Sequence, residues 1–271
     1  MSYYADSGFV DISPEALNNA LAKPTVHRFM VAGHGPLTVL GMPKVGRILF
    51  AHGAGAGHCS AFMRQFAATL ARQGIQVLAI DFPYMQQINE QGKRRPPPPI
   101  QQTVAHFTAW ATLLAPLSDQ PLWVGGKSMG GRVATLFASE MVGHQVHCQG
   151  VIVAGYPFHP PKKPDKRRLG HFPAIGCPVQ ILQGERDPFG DVGDVSDYSL
   201  PNNINQTADE STYFGGFVAF KAGIHAWPHS RPSSRGLCSS PGITTFDEPY
   251  EPSGDVKTCK KAGANAPARF S

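Results

Sequence analysis

Five short apolar runs punctuate the chain: Arg47–Ala51, Gln76–Phe82, Pro121–Val124, Gly150–Tyr156 and Pro178–Gly184. Their length, their glycine and proline borders and their lack of polar alternation predict strands buried on both faces. Between them the apolar period lengthens to that of a helix. Phe62, Phe66 and Leu70 mark one helix over 60–73, and Val104, Phe107, Trp110 and Leu114 mark another over 100–114. A third continues from Arg132 to about Met141. Strand and helix alternate, which predicts an α/β fold with a mostly parallel sheet and helices on both faces.

The flanks are less regular. Ser13-Pro14-Glu15 opens a short peripheral helix that ends before Lys23-Pro24, and strands are expected around Val26–Val31 and Leu37–Leu40. Met85–Pro99, with its four consecutive prolines, reads as an exposed loop. Pro157–Pro173 is a basic, proline-rich excursion placed where a lid or a partner surface would lie. Pro178–Gly184 is the last run with a clear strand pattern. Beyond Leu200 the strand–helix alternation stops, and only Tyr213–Phe220 has the pattern of a strand.

Composition narrows the function classes. The 271 residues are 42% hydrophobic and 16% charged, with a formal net charge of +5. The positive excess is concentrated in Lys93-Arg94-Arg95 and in Lys162–Arg168, two runs without the interleaved aromatics of a base-stacking surface. Nucleic acid is therefore not an expected partner. No stretch approaches the roughly 20 apolar residues of a membrane span, and the first residues lack a basic, apolar leader, so a cytoplasmic protein is expected. The five cysteines, Cys59, Cys148, Cys177, Cys238 and Cys259, follow no metal-binding or disulfide spacing. A reducing compartment suits them, and no metal site is expected.

The candidate chemistry lies where a strand meets a helix. Gly126-Lys127-Ser128-Met129-Gly130 has the Gly-x-Ser-x-Gly pattern of a nucleophile elbow, set between an apolar strand and a helix rich in small residues. The turn is crowded, so glycines flank the serine, and the Met129 N–H faces the place where an oxyanion forms. His52-Gly53-Ala54-Gly55-Ala56-Gly57-His58 follows the strand ending at Ala51, in position to supply a second oxyanion donor from Ala54. Phosphate binding is the rival reading of that loop, although its spacing matches neither a dinucleotide fingerprint nor a Walker loop. His52 and His58 are expected to brace the loop rather than to act as bases. Asp81, at the end of its strand, suits either a ligand or a loop contact.

Taken with Gly184-Glu185-Arg186-Asp187-Pro188-Phe189-Gly190, these motifs resemble the α/β-hydrolase superfamily. Within it they are similar to the dienelactone-hydrolase-like branch that includes NSL-complex-subunit-3-like proteins. The resemblance covers about Pro24 to Leu200 and implies an α/β-hydrolase domain over residues 1–200, followed by an irregular, poorly ordered tail over 201–271. It implies Ser128 as nucleophile, Met129 and Ala54 as oxyanion donors, and Asp187 as the acid that orients a histidine. His225 is the nearest candidate for that base, followed by His229, but the residues around them do not reproduce the family's pattern. A change of reading frame near Leu200 would account for the break.

The implied reaction is acyl transfer from small esters or related substrates through an acyl-enzyme, with no cofactor. The alternative is a non-catalytic or catalytically impaired scaffold that binds an acidic protein partner through its basic loops.

Overall fold

The computed structural model describes residues 8–23, 27–141 and 146–209. They form a nine-stranded sheet. In chain order its strands are β1 (Val10–Ile12), β2 (His27–Val31), β3 (Gly35–Leu40), β4 (Gly46–Ala51), β5 (Ile75–Ile80), β6 (Leu122–Lys127), β7 (Val151–Ala154), β8 (Val179–Gly184) and β9 (Ile204–Asp209). The spatial order is β1-β2-β3-β5-β4-β6-β7-β8-β9. Only the pairs β2–β3 and β3–β5 are antiparallel, so the expected mostly parallel sheet is present.

The uninterrupted apolar runs arise because the central strands are covered twice. In β4, Leu49 and Ala51 join one core cluster while Ile48 and Phe50 join the other. The two-residue period of a strand sends neighbouring side chains to opposite faces. On the first face lie α4 (Ile100–Leu114) and α5 (Met129–Glu140), through Val104, Phe107, Trp110, Val133 and Phe137. On the second lies α2 (Ala61–Arg72), through Met63, Phe66 and Leu70, with Phe66 stacked on Phe50 at 4.7 Å between ring centroids.

Arg47 brings a cation inside this core. It is 1% exposed, and its guanidinium donates to the carbonyls of Leu114, Ala115, Ser118 and Gln120. These are carbonyls at the C-terminal end of α4 and in the short 3-10 turn just beyond, where the α-helical ladder runs out. A buried cation is tolerated there because it replaces water for several carbonyls at once.

Three sequence expectations are corrected. The first part of the segment Met85–Pro99, expected to be a loop, belongs to a helix, α3 (Pro83–Gln91). Pro83 stands at its first position, Tyr84 and Met85 are buried, and Gly92 closes it in the left-handed conformation at φ 69°. Polar residues on its outer face and the following prolines masked that pattern; residues 93–99 carry no helix or strand. The short helix α1 (Leu17–Leu21) buries Leu17 and Leu21 in the first-face core rather than lying peripherally. Finally, β9 extends the sheet beyond Leu200 and pairs in parallel with β8 from Val179↔Ile204 to Gly184↔Asp209. Its sequence, Ile-Asn-Gln-Thr-Ala-Asp, is too polar to read as a strand. Pairing with β8, rather than a buried apolar run, supports it.

The basic excursion after β7 is anchored by aromatic residues. Tyr156, Phe158 and Phe172 are buried against one another, and the Tyr156 hydroxyl donates to the Arg168 carbonyl at 2.8 Å. Lys162, Lys163, Lys166 and Arg167 face solvent. No helix among the described residues is long and apolar enough to cross a membrane.

Candidate active site

The C-terminal ends of the parallel strands gather on one edge of the sheet, and the candidate residues lie on that edge. Ser128 occupies the single residue between β6 and α5, at φ 50° and ψ −113°. Only one other non-glycine described residue, Lys162, has a positive φ. Such a conformation costs roughly 1–3 kcal/mol and persists only where the surroundings impose it. The imposition here comes from packing. The Ser128 N–H donates to Ala154 O of β7 at 2.9 Å, and Ser128 O accepts the first helical bond from Arg132 N–H at 3.0 Å.

Flanking glycines make the turn sterically allowed. A Cβ on Gly130 would meet Ala51 O at 2.4 Å and His52 O at 2.7 Å. One on Gly126 would meet the Gly130 carbonyl carbon at 2.5 Å. Because α5 begins at Met129, the N–H groups of its first turn have no helical acceptor, and they carry the positive end of the helix dipole.

The glycine-rich loop packs beside this elbow. A Cβ on Gly53 would lie 3.5 Å from Lys127 O and 3.7 Å from Ser128 Cβ. Two side chains fix its peptides. His52 Nε2 accepts from the Phe82 N–H at 3.0 Å, so the ring proton resides on Nδ1, which donates to Gly53 O at 2.6 Å. The Tyr84 hydroxyl lies 3.5 Å from Gly53 O and donates to Ala54 O at 3.0 Å. In a trans peptide the C=O and N–H point in opposite directions. Gly53 O is held toward His52 and Tyr84, so the Ala54 N–H is directed away from them.

His52 is therefore a neutral structural group, its pKa lowered by burial against the pull of Asp81. Tyr84 is the site residue that sequence reasoning missed. Its only signal was an aromatic following the Phe82-Pro83 strand end.

His58 braces the other end of the loop. Its backbone N–H donates to Asp81 Oδ1 at 2.7 Å, and its Nδ1 makes an ion-pair contact with the same oxygen at 2.9 Å. Thr38 Oγ1 lies 2.7 Å from Nε2. Burial alone would raise the Asp81 carboxyl, but the charge of His58 dominates and holds it at about 2. Burial would likewise lower His58, and Asp81 raises it to about 10. Asp81 thus serves as a loop contact, with His58 as its charged partner.

Asp187 follows β8. Its Oδ1 accepts from the Phe189 N–H at 2.9 Å, while its Oδ2 lies 3.1 Å from where a Cβ on Gly155 would stand. Gly155 immediately follows Ala154, the residue whose carbonyl holds the Ser128 N–H, so Ser128 and Asp187 flank the same stretch of β7. Oδ2 makes no hydrogen bond among the described residues. Burial raises the Asp187 pKa, against the Phe189 N–H, Lys127 and His159.

Lys127 is half-buried and makes no ion pair among the described residues. Its ammonium lies 4.5 Å from the centroid of the Phe62 ring, and burial lowers its pKa against the attraction of Asp187.

The structure thus brings Ser128, Met129, Ala54 and Asp187 to one edge. His225 and His229 lie outside the described residues, and so does Tyr213–Phe220. Ser128 Oγ has no hydrogen-bonded histidine among the described residues. No group of three or more His, Cys, Asp or Glu side chains among them is arranged to hold a metal ion.

A strand order of this kind, with a strained serine between a central strand and its helix, can be compared with known proteins. The family model of the alpha/beta hydrolase domain matches residues 44–211. The chain belongs to the alpha/beta hydrolase family. The match includes β9 and so runs past Leu200, where the sequence pattern breaks. No curated protein matches the chain. Among solved structures, dienelactone hydrolase from Anabaena variabilis is 20% identical with a TM-score of 0.54, over 74% of this chain and 96% of that one. An esterase of Pyrococcus furiosus is 15% identical with a TM-score of 0.52, over 76% and 89%. Est1E from Butyrivibrio proteoclasticus is 13% identical with a TM-score of 0.52, over 73% and 95%. At these identities the likeness establishes a common fold.

Proposed function

We propose that the chain is a serine hydrolase of small esters or related acyl substrates. The observation that carries this reading is the left-handed backbone of Ser128 at the start of α5. A strained serine at the exposed end of a strand, facing unpaired helix N–H groups, is arranged for attack on a carbonyl. Ser128 Oγ would attack, and the Met129 and Ala54 N–H groups would receive the developing oxyanion. Asp187 Oδ2 would accept an N–H from the imidazole that takes the serine proton. His225 is our candidate for that imidazole. Water then releases the acyl group. No cofactor is needed, and the cytoplasm is the proposed compartment.

The restrained loop supports the assignment of Ala54. With its neighbouring carbonyls tied to His52 and Tyr84, its N–H needs no reorganisation when charge develops. The exposed cations of 162–168 support the second reading, a scaffold for an acidic protein partner.

Fluorophosphonate labelling separates the two. Labelling of the full chain that is lost in both Ser128→Ala and His225→Ala supports the hydrolase and names the base. Loss in Ser128→Ala alone keeps the nucleophile and rejects His225. A folded wild-type protein that does not label would overturn the hydrolase reading in favour of the scaffold.

A further inference from the structure

Three thiols lie among the described residues, and two of them meet although 29 positions separate them in sequence. Cys148 Sγ and Cys177 Sγ are 3.7 Å apart, both are half-buried, and both are free. They precede the neighbouring parallel strands β7 and β8, which pair at Val151↔Val179. We propose that Cys148 and Cys177 form an oxidisable dithiol, closed to an intramolecular disulfide by exchange with a low-molecular-weight disulfide of the glutathione class.

The backbone holds the two sulfurs in reach. Val151 N–H donates to Pro178 O at 2.9 Å and Gln149 N–H to Leu122 O at 2.8 Å, so the residue after each cysteine is tied into the sheet. Asn203 Nδ2 donates to the carbonyls of Ile175 and Cys177, both at 2.9 Å, which fixes the loop before β8. The sulfurs already stand 3.7 Å apart, within the ~3.5–4.5 Å that separates even the Cβ atoms of a formed disulfide. Closing the sulfurs to a bond of ~2.05 Å then calls for side-chain rotation, with the strands left in place.

The pair is also asymmetric. The hydrogen bond between the sulfurs, with burial, raises Cys148, while the same bond lowers Cys177 against burial. Either sulfur can donate in that bond, so either can open the exchange, and Cys177 is taken as the thiolate. It attacks one sulfur of glutathione disulfide, the S–S bond of glutathione breaks, and a glutathione thiolate leaves and takes a proton from water. Cys148 then gives its proton to water and attacks the Cys177 sulfur, expelling the second glutathione thiolate. The protein loses two electrons and two protons, and one glutathione disulfide becomes two glutathiones. The dithiol lies at the opposite ends of the strands from Ser128 and Asp187, so it is a site distinct from the proposed hydrolase centre and independent of that reading.

The test uses the full chain, reduced and desalted, then equilibrated in buffers of increasing glutathione disulfide to glutathione ratio. Remaining thiols are blocked with iodoacetamide and the cysteines mapped by peptide mass spectrometry. The expected result is the loss of the Cys148 and Cys177 alkylation products and the appearance of one cross-linked peptide pair joining them, lighter by two hydrogen atoms. In Cys148→Ser the reaction stops at a glutathione adduct on Cys177. In Cys177→Ser it stops at a glutathione adduct on Cys148. The proposal is overturned if both thiols still alkylate in a large excess of glutathione disulfide. It is equally overturned if the cross-link joins either one to Cys59, Cys238, Cys259 or a second chain.

Discussion

The buried pair His58–Asp81 makes stability depend on pH in a way that a neutral brace would not. With Asp81 ionised from about 2 upward and His58 protonated up to about 10, the folded protein keeps one more proton than the unfolded chain between the unfolded histidine value near 6.5 and about 10. A group raised on folding contributes stability that is complete below its unfolded pKa and is lost as pH rises through the folded one. The slope approaches about 1 kcal/mol per pH unit, and integrating from pH 7 to 9 gives a loss of about 2–3 kcal/mol.

Cys59 opposes this. Burial would raise its thiol, but contact with His58 at 3.4 Å and the charges of His58 and Arg28 lower it. The experiment therefore starts from Cys59→Ser and adds Asp81→Asn, which keeps an oxygen for the His58 N–H but removes the charge. Urea unfolding at pH 7 and 9 then measures both proteins. The Asp81→Asn protein is the less stable at pH 7, since loss of one partner of a buried pair costs about 3–5 kcal/mol. Its His58 is neutral across this window, so the gap between the two proteins narrows by about 2–3 kcal/mol at pH 9. The remaining thiols titrate alike in both. A gap that stays constant from pH 7 to 9 would falsify the charged pair and leave Asp81 as a simple hydrogen-bond acceptor.

Other expectations rest on single contacts. Tyr84→Phe removes the hydroxyl that holds Ala54 O, so kcat for p-nitrophenyl acetate should fall on the order of tenfold with little change in KM; an equal rate would remove Tyr84 from the oxyanion loop. Gly130→Ala drives a Cβ into two backbone carbonyls, and a drop of about 1–3 kcal/mol or more in unfolding free energy is expected by urea titration. Arg47→Met leaves the carbonyls at the end of α4 buried and unpaired; thermal unfolding should report a loss of roughly 3 kcal/mol, and an unchanged midpoint would mean that water replaces the guanidinium.

The legible parts of the sequence were those in which one residue type has one physical use. Doubly covered strands such as β7 need apolar residues at every position, and the elbow needs small ones, so both stand out. α3 did not, because half its surface is polar and its start is a proline that also ends a strand. β9 did not, because a polar strand is specified by its neighbour β8 rather than by its own composition. The loop histidines had sequence signals but no sequence partners. Only the fold brings His58 from the end of one loop to Asp81 at the end of another strand, and Cys148 to Cys177. Tyr84 was hidden for the same reason, since its hydroxyl acts on a carbonyl 30 residues away.

The backbone angles of Ser128 also bear on how this sequence would age without a task. Glycine adopts a positive φ at little cost, so Ser128→Gly would relax the turn and leave a more stable chain without the hydroxyl proposed as nucleophile. Stability and the proposed chemistry pull this one codon in opposite directions. Random substitution in a chain kept only for its fold would drift toward glycine there, which makes the residue at 128 a readable trace of the pressure the protein has been under.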